Sequence, residues 1–261
     1  MTARAGKVED GSTVTGADPE EVKRGMSLSL GMAPFEWKAS DGDTYKIAVY
    51  FGIDEVRVLR NLGVKDVPSP ITRRYNWPGR YKPMEHQSET SSFLTLNKRA
   101  FVFNDPGTGK TLSALWAADY LMSRGLVRRC LILCPLSIMH SAWMSDLNNS
   151  IIHRSAIVAH HAQAAKRIEM IQSNYEFVIC NYEGLNLIAD EINNDGRFDL
   201  IIVDEANAYK TATTKRWKTL KSIVGPNTYL WMMTGTPASQ SPADAFGLAK
   251  LVNPDGVPKF F

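Results

Sequence analysis

The sequence predicts an α/β domain in which a mostly parallel β-sheet lies between layers of helices, with a small α+β unit before it. Two observations carry this prediction. From about residue 85, apolar runs of strand length alternate with longer segments of helical period, which is typical of repeated strand–helix units. Polar motifs directly follow some of these runs, at the strand ends where such sheets bind ligands. The 261 residues suffice for one large domain and an added unit.

The N-terminal part of the chain divides into three segments. Residues 1–33 mix glycine, serine, threonine and charged residues without an apolar period, so we predict a flexible tail. Residues 34–66 are predicted to form the α+β accessory unit. Two strand-like runs flank Asp41-Gly42-Asp43 as in a hairpin, and residues 54–62 follow with helical period. Residues 67–84 are rich in proline and indicate an irregular connector.

Residues 85–261 are assigned to the main domain. The apolar runs predict strands at residues 100–103, 130–134, 155–159, 176–180, 199–203 and 228–233. The segments between them predict helices at residues 110–123, 136–149, 161–173, 183–193 and 214–224. Because strand and helix alternate, the sheet is expected to be parallel and covered on both faces.

Composition excludes several classes of protein. A hydrophobic fraction of 44% and a charged fraction of 22% are typical of a globular domain. The net charge of +3 is too small for a protein that coats nucleic acid, so any such contact must be local. The longest apolar runs are too short to span a bilayer, and we expect no membrane partner. Three cysteines lie in apolar runs, which indicates reduced thiols and a cytoplasmic protein.

A phosphate-binding loop is predicted at residues 104–111, Asn-Asp-Pro-Gly-Thr-Gly-Lys-Thr, between a strand and a helix. Backbone N–H groups and the helix N-terminus converge there on one anion. Gly107 and Gly109 let the backbone approach closely, Lys110 reaches the β- and γ-phosphates, and the Thr111 hydroxyl ligates magnesium. Asparagine stands where the strict pattern has its first glycine. The predicted nucleotide-binding residues of the loop are Pro106, Gly107, Thr108, Gly109, Lys110 and Thr111.

An acidic pair closes the apolar strand at residues 199–203. Asp204 is expected to hold magnesium, and Glu205 to orient or deprotonate the attacking water. A solvated strand end is the alternative interpretation of two acids at this place. Because the acidic pair occurs in the same chain as the phosphate loop, the two motifs together predict hydrolysis of ATP with Mg²⁺. We take Lys110, Asp204 and Glu205 as the catalytic residues.

Together these motifs resemble helicase superfamily two, and most closely the Swi/Snf-type helicase-like ATPases, including phage-encoded versions. The resemblance covers about residues 81–254 and implies the first of two RecA-like lobes, a P-loop domain. Residues 81–87, Tyr-Lys-Pro-Met-Glu-His-Gln, resemble the adenine-contacting segment of the family. Gln87 is then its glutamine and a further nucleotide-binding residue.

Three more segments carry the resemblance. Residues 131–137 and 178–183 resemble two segments that contact the nucleic-acid backbone, and residues 233–237 resemble the motif that couples the ATP state to nucleic-acid binding. The family usually has histidine at position 207, where this chain has asparagine. The implied nucleic-acid contacts are Pro135, Leu136, Ser137, Asn181 and Tyr182. The implied coupling residues are Asn207, Thr234, Gly235 and Thr236.

The resemblance implies the ATP-hydrolysing lobe of a DNA-dependent helicase or translocase that moves along or remodels duplex DNA, in the host cytoplasm if phage-encoded. Two alternatives share the motifs: an RNA or single-strand helicase lobe, and a nucleotide-dependent interaction module without turnover. The family also has a second RecA-like lobe with an arginine that completes the ATP site. Since the sequence ends at Phe261 without it, we expect that lobe in a longer protein or a separate chain. Hydrolysis by this lobe alone is expected to be slow.

Overall fold

The chain divides into two compact units, residues 1–75 and residues 76–261. The computed structural model describes residues 37–40, 44–47, 50–64, 67–236 and 243–257. The tail predicted at residues 1–33 lies outside this part of the chain.

The first unit contains the predicted hairpin and helix. Strands β1 (Trp37–Ser40) and β2 (Thr44–Ile47) pair in antiparallel fashion, which confirms the hairpin. Helix α1 (Ile53–Asn61) follows and buries residues three positions apart, as an amphipathic helix does. Gly63 then has a φ of 80°, a left-handed conformation that suits the end of a helix. These elements confirm the small α+β unit.

The connector prediction was wrong over part of its length, because Pro70–Arg74 form a one-turn helix, α2. Proline is favoured at the first helical position, where no backbone N–H donor is needed and its fixed φ suits the helix. Pro70 and Ile71 are both buried, so apolar side chains anchor the turn. The boundary between the units falls after Tyr75, inside the predicted connector, and the remaining domain limits stay predictions.

The second unit is built on a six-stranded parallel sheet. Its strands are β3 (Arg99–Val102), β4 (Arg129–Cys134), β5 (Ala156–Val158), β6 (Phe177–Asn181), β7 (Phe198–Val203) and β8 (Tyr229–Met233). Their order across the sheet is β3-β8-β7-β4-β6-β5. All residues of β4, β6 and β8 are buried, as expected for strands covered on both faces. The six predicted strands and their parallel arrangement are confirmed.

Seven helices of this unit are described. They are α3 (Glu85–Leu96), α4 (Lys110–Ser123), α5 (Ser145–Ser150), α6 (Ala164–Gln172), α7 (Tyr182–Asp195), α8 (Lys215–Ile223) and α9 (Ala243–Val252). A 3₁₀ turn (Leu136–Ile138) and a π-helical turn (Met139–Met144) lead directly into α5. None of the helices described is long and apolar enough to cross a bilayer.

The sequence did not predict α3, and its packing explains why. This helix has no continuous apolar stripe, and hydroxyl groups make part of its contact with α4. The Ser91 Oγ lies 2.9 Å from the carbonyl oxygens of both Gln87 and Ser113. Because buried serine and threonine replace part of the apolar face, the periodicity that identifies other helices is weak here.

A buried ion pair fastens β4 to the end of α7. Arg129 Nη1 lies 2.7 Å from Asp195 Oδ2, and the two side chains are only 5% and 6% exposed. Arg197 pairs with the same carboxylate at 2.7 Å. Burial alone would raise the pKa of Asp195, but the hydrogen bonds and charges of Arg197 and Arg129 outweigh it and lower the pKa below the ordinary value. The ionised carboxylate therefore stabilises the fold.

Asp195→Asn is expected to lower the free energy of unfolding by about 3–5 kcal/mol at pH 7, because it leaves buried Arg129 without its counter-charge. An acid whose folded pKa is lowered contributes stability above its ordinary pKa and loses it as the pH falls through the folded value. The difference between the variant and the wild type should therefore shrink below about pH 4. Urea unfolding at pH 7 and at acidic pH measures both effects.

Asp199→Asn is the matched control. Asp199 pairs with Arg128, whose side chain is 61% exposed, so its removal should cost less than about 1 kcal/mol. Equal losses from the two variants would contradict the importance given to burial of the Arg129–Asp195 pair.

Candidate nucleotide-binding site

The phosphate loop joins β3 to α4 and takes its shape from two glycines. Gly107 and Gly109 have φ values of 80° and 78°, a left-handed region that other residues rarely adopt. Helix α4 begins at Lys110, directly after Gly109. A Cβ atom at Gly109 would lie 2.1 Å from Gln87 Nε2. The backbone conformation therefore favours glycine at position 109, and a Cβ atom there would displace the Gln87 side chain from the loop.

Gln87 attaches the start of α3 to this loop. Its Nε2 donates to the Thr108 carbonyl oxygen at 3.2 Å, and its Oε1 accepts from the Met84 N–H at 3.0 Å. His86 Nε2 also lies 3.0 Å from the Thr108 carbonyl oxygen. The predicted adenine-contacting glutamine thus lies beside the loop and holds it, while direct contact with adenine stays a prediction. Nothing in the sequence indicated the contribution of His86.

Lys110 lies inside the curve of the loop. Its Nζ donates to the carbonyl oxygens of Asn104 at 2.8 Å and Asp105 at 3.0 Å. The ammonium group is therefore held where the loop's backbone converges. Asn104 Nδ2 donates to Thr90 Oγ1 at 2.9 Å, so the asparagine that replaces the usual glycine fastens the loop to α3.

Asp204 is a buried carboxylate at the end of β7. It is 7% exposed, so a solvated strand end does not describe this residue. Its Oδ2 accepts from Trp143 Nε1 at 3.0 Å, and its Oδ1 accepts from the Glu205 N–H at 3.0 Å. Burial raises the pKa of Asp204 above its ordinary value, opposed by these two hydrogen bonds and by the positive charge of Lys110. The acid and the lysine therefore interact electrostatically across the edge of the sheet.

Glu205 differs from Asp204 in exposure and in backbone conformation. It is exposed, and its φ and ψ of 46° and 55° lie in the left-handed region. A non-glycine residue there costs roughly 1–3 kcal/mol, and such residues concentrate at functional sites. The conformation places two neighbouring acids in different environments, one buried and one at the surface.

The site has oxygen donors suited to magnesium. Thr111 and Asp204 offer a hydroxyl and a carboxylate, the hard ligands that Mg²⁺ prefers. The described part of the chain contains no group of three or more His, Cys, Asp or Glu side chains arranged to hold a metal ion. Magnesium bound with ATP usually takes only one or two protein carboxylates, and phosphate oxygens and water complete its coordination. The donor set therefore fits the ion.

The predicted coupling segment lies against the phosphate loop. Thr234 is fully buried and its N–H donates to the Val102 carbonyl oxygen at 3.0 Å. A Cβ atom at Gly235 would lie 2.9 Å from Pro106 Cδ, so the two backbones approach closely. The Thr236 N–H donates to Thr234 Oγ1 at 3.2 Å, which closes the turn after β8. Residue 237 of this motif lies outside the described residues.

Asn207 connects this segment to the acidic pair. Its Nδ2 donates to the carbonyl oxygen of Thr236 at 2.6 Å and to its Oγ1 at 2.7 Å. Its Oδ1 is buried and has no hydrogen-bond partner among the described residues. An asparagine in place of the usual histidine therefore still joins the strand end of β7 to that of β8.

The five residues implied to contact nucleic acid differ in exposure. Leu136 and Ser137 are exposed and Pro135 is half-buried, whereas Asn181 and Tyr182 are each 7% exposed. The Tyr182 hydroxyl donates to the Asp204 carbonyl oxygen. Strand register aligns Cys134 with Asn181, so both segments end at the same edge of the sheet. Contact with nucleic acid stays a prediction for all five, and Tyr182 supports Asp204 in this structure.

Gly109→Ala is expected to weaken nucleotide binding by at least about tenfold. The new methyl group collides with Gln87, and the φ of 78° adds about 1–3 kcal/mol of strain, so the loop leaves the conformation that receives phosphates. Calorimetric titration with a non-hydrolysable ATP analogue measures the effect. Gly125→Ala is the control, since φ is 70° there and the added Cβ meets open space at the end of α4. Unchanged affinity in Gly109→Ala would show that the described loop shape is not needed.

The fold and these contacts define a P-loop α/β domain with a buried acid beside the lysine of the loop. A family model described as the SNF2-related domain matches residues 86–260. The chain belongs to this family, which confirms the resemblance to Swi/Snf-type ATPases and the predicted RecA-like fold.

Similar proteins come from bacteria, archaea and animals. The uncharacterized ATP-dependent helicase YqhH of Bacillus subtilis is 25% identical over 67% of this chain and 30% of its own length. A Caenorhabditis elegans homolog of SWI/SNF-related matrix-associated actin-dependent regulator of chromatin subfamily A-like protein 1 is 27% identical over 75% of this chain and 28% of its own. The chain thus spans less than a third of either relative. The phage-encoded form stays a prediction.

A solved structure shares the fold. The SWI2/SNF2 ATPase core of Sulfolobus solfataricus in complex with dsDNA superposes with a TM-score of 0.57 at 21% identity. The match covers 69% of this chain and 37% of the archaeal chain. A second structure, of the Sulfolobus solfataricus SWI2/SNF2 ATPase core domain, superposes with a TM-score of 0.52 at 20% identity.

Proposed function

We propose that this chain is the ATP-binding and ATP-hydrolysing lobe of a DNA-dependent motor that moves along or remodels duplex DNA. One observation carries the proposal: a phosphate loop centred on Lys110 lies beside the buried carboxylate of Asp204, in a chain of the SNF2-related family. The name of the bacterial relative describes an ATP-dependent helicase, and the archaeal core was solved with dsDNA. Both descriptions agree with the proposal.

The triphosphate is held mainly by the backbone. N–H groups of residues 107–111 surround the β-phosphate, and the N-terminus of α4 favours its negative charge. The Lys110 ammonium exchanges its contacts with the Asn104 and Asp105 carbonyl oxygens for phosphate oxygens. Because the replacement ligands are charged, these new hydrogen bonds are stronger than those they displace.

Thr111 and Asp204 are the residues that would hold magnesium in this lobe. When bound, the ion neutralises charge that develops on the phosphates during transfer. Glu205 is the residue that orients or deprotonates the attacking water, since its exposed carboxylate adjoins Asp204. The buried acid and the exposed acid therefore have separate roles in hydrolysis.

The coupling residues connect the ATP site to the rest of the sheet edge. Asn207 bonds Thr236, and Gly235 packs on Pro106 of the phosphate loop. A change in the loop when the γ-phosphate leaves is thereby passed to the ends of β7 and β8. Leu136 and Ser137 are the exposed candidates for a phosphate-backbone contact, which carries little sequence preference.

The proposal includes a second RecA-like lobe, in the full-length protein or in a separate chain. Its arginine would complete the ATP site, and such a residue is worth about 10³–10⁵ in turnover rate. Hydrolysis by the present chain alone should therefore be slow even when ATP is bound.

ATPase assays on this chain and on the protein with both lobes test the proposal. Duplex DNA, single-stranded DNA and RNA are added in turn, and we expect strong stimulation by duplex DNA only when both lobes are present. Equal stimulation by RNA would favour the RNA or single-strand helicase. ATP binding without turnover in every condition would favour an interaction module, and rapid hydrolysis by one lobe would contradict the role of the second.

A further inference from the structure

Two aromatic side chains, which follow different strands of the sheet, donate hydrogen bonds to Asp204. Trp143 is fully buried and its Nε1 donates to the Asp204 carboxylate at 3.0 Å. Tyr182 donates from its hydroxyl to the Asp204 backbone carbonyl. Trp143 follows the strand end of β4 and Tyr182 directly follows that of β6. The side chain and the backbone of Asp204 are thus each fixed by a separate hydrogen bond.

Trp143 lies in an uncommon backbone feature. Residues 139–144 form a π-helical turn between the exposed 3₁₀ turn and α5. Such wide turns are rare, and they occur often at functional sites. The Ser141 hydroxyl donates to the Ser137 carbonyl oxygen at 3.0 Å, which fastens this turn to the exposed segment before it. The position of the indole therefore depends on a backbone segment at the sheet edge.

The partner of Trp143 distinguishes it from three other buried tryptophans. Trp116, Trp217 and Trp231 donate their indole N–H groups to backbone carbonyl oxygens. A carbonyl acceptor satisfies a buried indole N–H fully, so packing alone does not require a carboxylate. A hydrogen bond to an ionised carboxylate is roughly twice as strong as one between neutral groups, and it fixes the orientation of the acid.

We propose that Trp143 is a positioning residue that holds the Asp204 carboxylate in the orientation that binds magnesium, with Tyr182 supporting the backbone beneath it. The proposal rests on the function proposed above, since it assigns Asp204 to the metal. With Oδ2 held by the indole and Oδ1 by the Glu205 N–H, the remaining lone pairs have fixed directions. Partners that orient a metal ligand in this way are typically worth 10–100-fold in metal affinity.

Trp143→Phe removes the N–H and keeps most of the aromatic surface. We expect the affinity for Mn²⁺, used as a spectroscopic substitute for Mg²⁺, to fall by about 10–100-fold in the presence of ADP. ADP binding in EDTA should not change, because the phosphate loop is intact. Trp217→Phe is the matched control, since it removes a buried indole N–H whose acceptor is the Gly247 carbonyl. It should leave both affinities unchanged.

A second experiment asks whether Trp143 acts through Asp204. In an Asp204→Asn background, Trp143→Phe should produce no further loss of Mn²⁺ affinity, because the carboxylate that it positions is gone. If Trp143→Phe fails to fold, Tyr182→Phe removes one hydroxyl and is expected to lower the Mn²⁺ affinity by a smaller factor. Unfolding temperatures of every variant identify losses due to folding alone.

The outcomes separate this inference from the proposed function. Wild-type protein that binds Mn²⁺ with ADP, together with folded variants of unchanged affinity, would overturn the positioning role and leave the proposed function standing. An equal loss in the Asp204→Asn background would also overturn it. Wild-type protein that binds neither ADP nor Mn²⁺ would overturn the proposed function.

In the full-length protein, Trp143→Phe should raise the Mg²⁺ concentration for half-maximal ATPase activity and spare kcat at saturating Mg²⁺.

Discussion

Glu205→Gln is expected to lower ATP turnover by about 10²–10⁴-fold while ATP affinity is unchanged. An amide keeps the size of the side chain, but it cannot accept a proton from the attacking water. Glu205 is exposed, so the change removes no packing. Its neighbour Asp204 keeps its carboxylate and its place at the strand end. Metal and nucleotide binding should therefore be preserved.

The measurement compares steady-state hydrolysis by the two-lobe protein, stimulated by duplex DNA, with binding of a fluorescent ATP analogue. Glu169→Gln is the control, because it changes another exposed acid, on α6, outside the acidic pair and outside the segments expected to contact nucleic acid. A variant at Glu205 that loses affinity but keeps its turnover number would contradict the assigned role.

Lys110→Ala is expected to weaken ATP binding by about 2–5 kcal/mol, the usual cost of truncating one partner of a buried, charged hydrogen bond. That range corresponds to roughly 30-fold to several-thousand-fold in Kd. The ammonium group is held at the centre of the loop by two carbonyl oxygens, and no neighbouring lysine replaces it in the described loop. The phosphates would then lose their main positive partner.

Lys218→Ala provides a control of equal charge change on the exposed face of α8. Lys110→Arg adds a further test, since arginine keeps the charge but its wider head does not fit between the same carbonyl oxygens. Titration with an ATP analogue should show wild-type affinity for the control and intermediate affinity for the arginine variant. Wild-type affinity in Lys110→Ala would show that the phosphate loop does not bind ATP.

Much of the second unit was predictable because its signals are local. Strands such as β4 and β7 are short apolar runs, and the phosphate loop combines a strand, two glycines and a helix start within a few residues. The order of strands across the sheet was not predictable, since β3 pairs with β8 through contacts between residues far apart in sequence. Helix α3 was missed because hydroxyl groups replace part of its apolar face.

The candidate site shows the same division between local and distant information. Lys110 and Asp204 were identified from their motifs, but the indole that holds Asp204 lies 61 residues away in sequence. The bond from Asn104 to Thr90 likewise depends on how α3 packs. Tyr182 was expected to contact nucleic acid, and only the structure places its hydroxyl on the Asp204 carbonyl. A sequence motif identifies a residue's neighbours along the strand, but not its partners across the fold.

The most direct test of the account is a crystal structure of this chain with a non-hydrolysable ATP analogue and Mg²⁺. Phosphate oxygens are expected within hydrogen-bond distance of the backbone N–H groups of residues 107–111 and of Lys110 Nζ. Magnesium is expected between the Thr111 hydroxyl and the Asp204 carboxylate, bound directly or through water. Phosphates bound elsewhere, with residues 104–111 unchanged and unliganded, would contradict it.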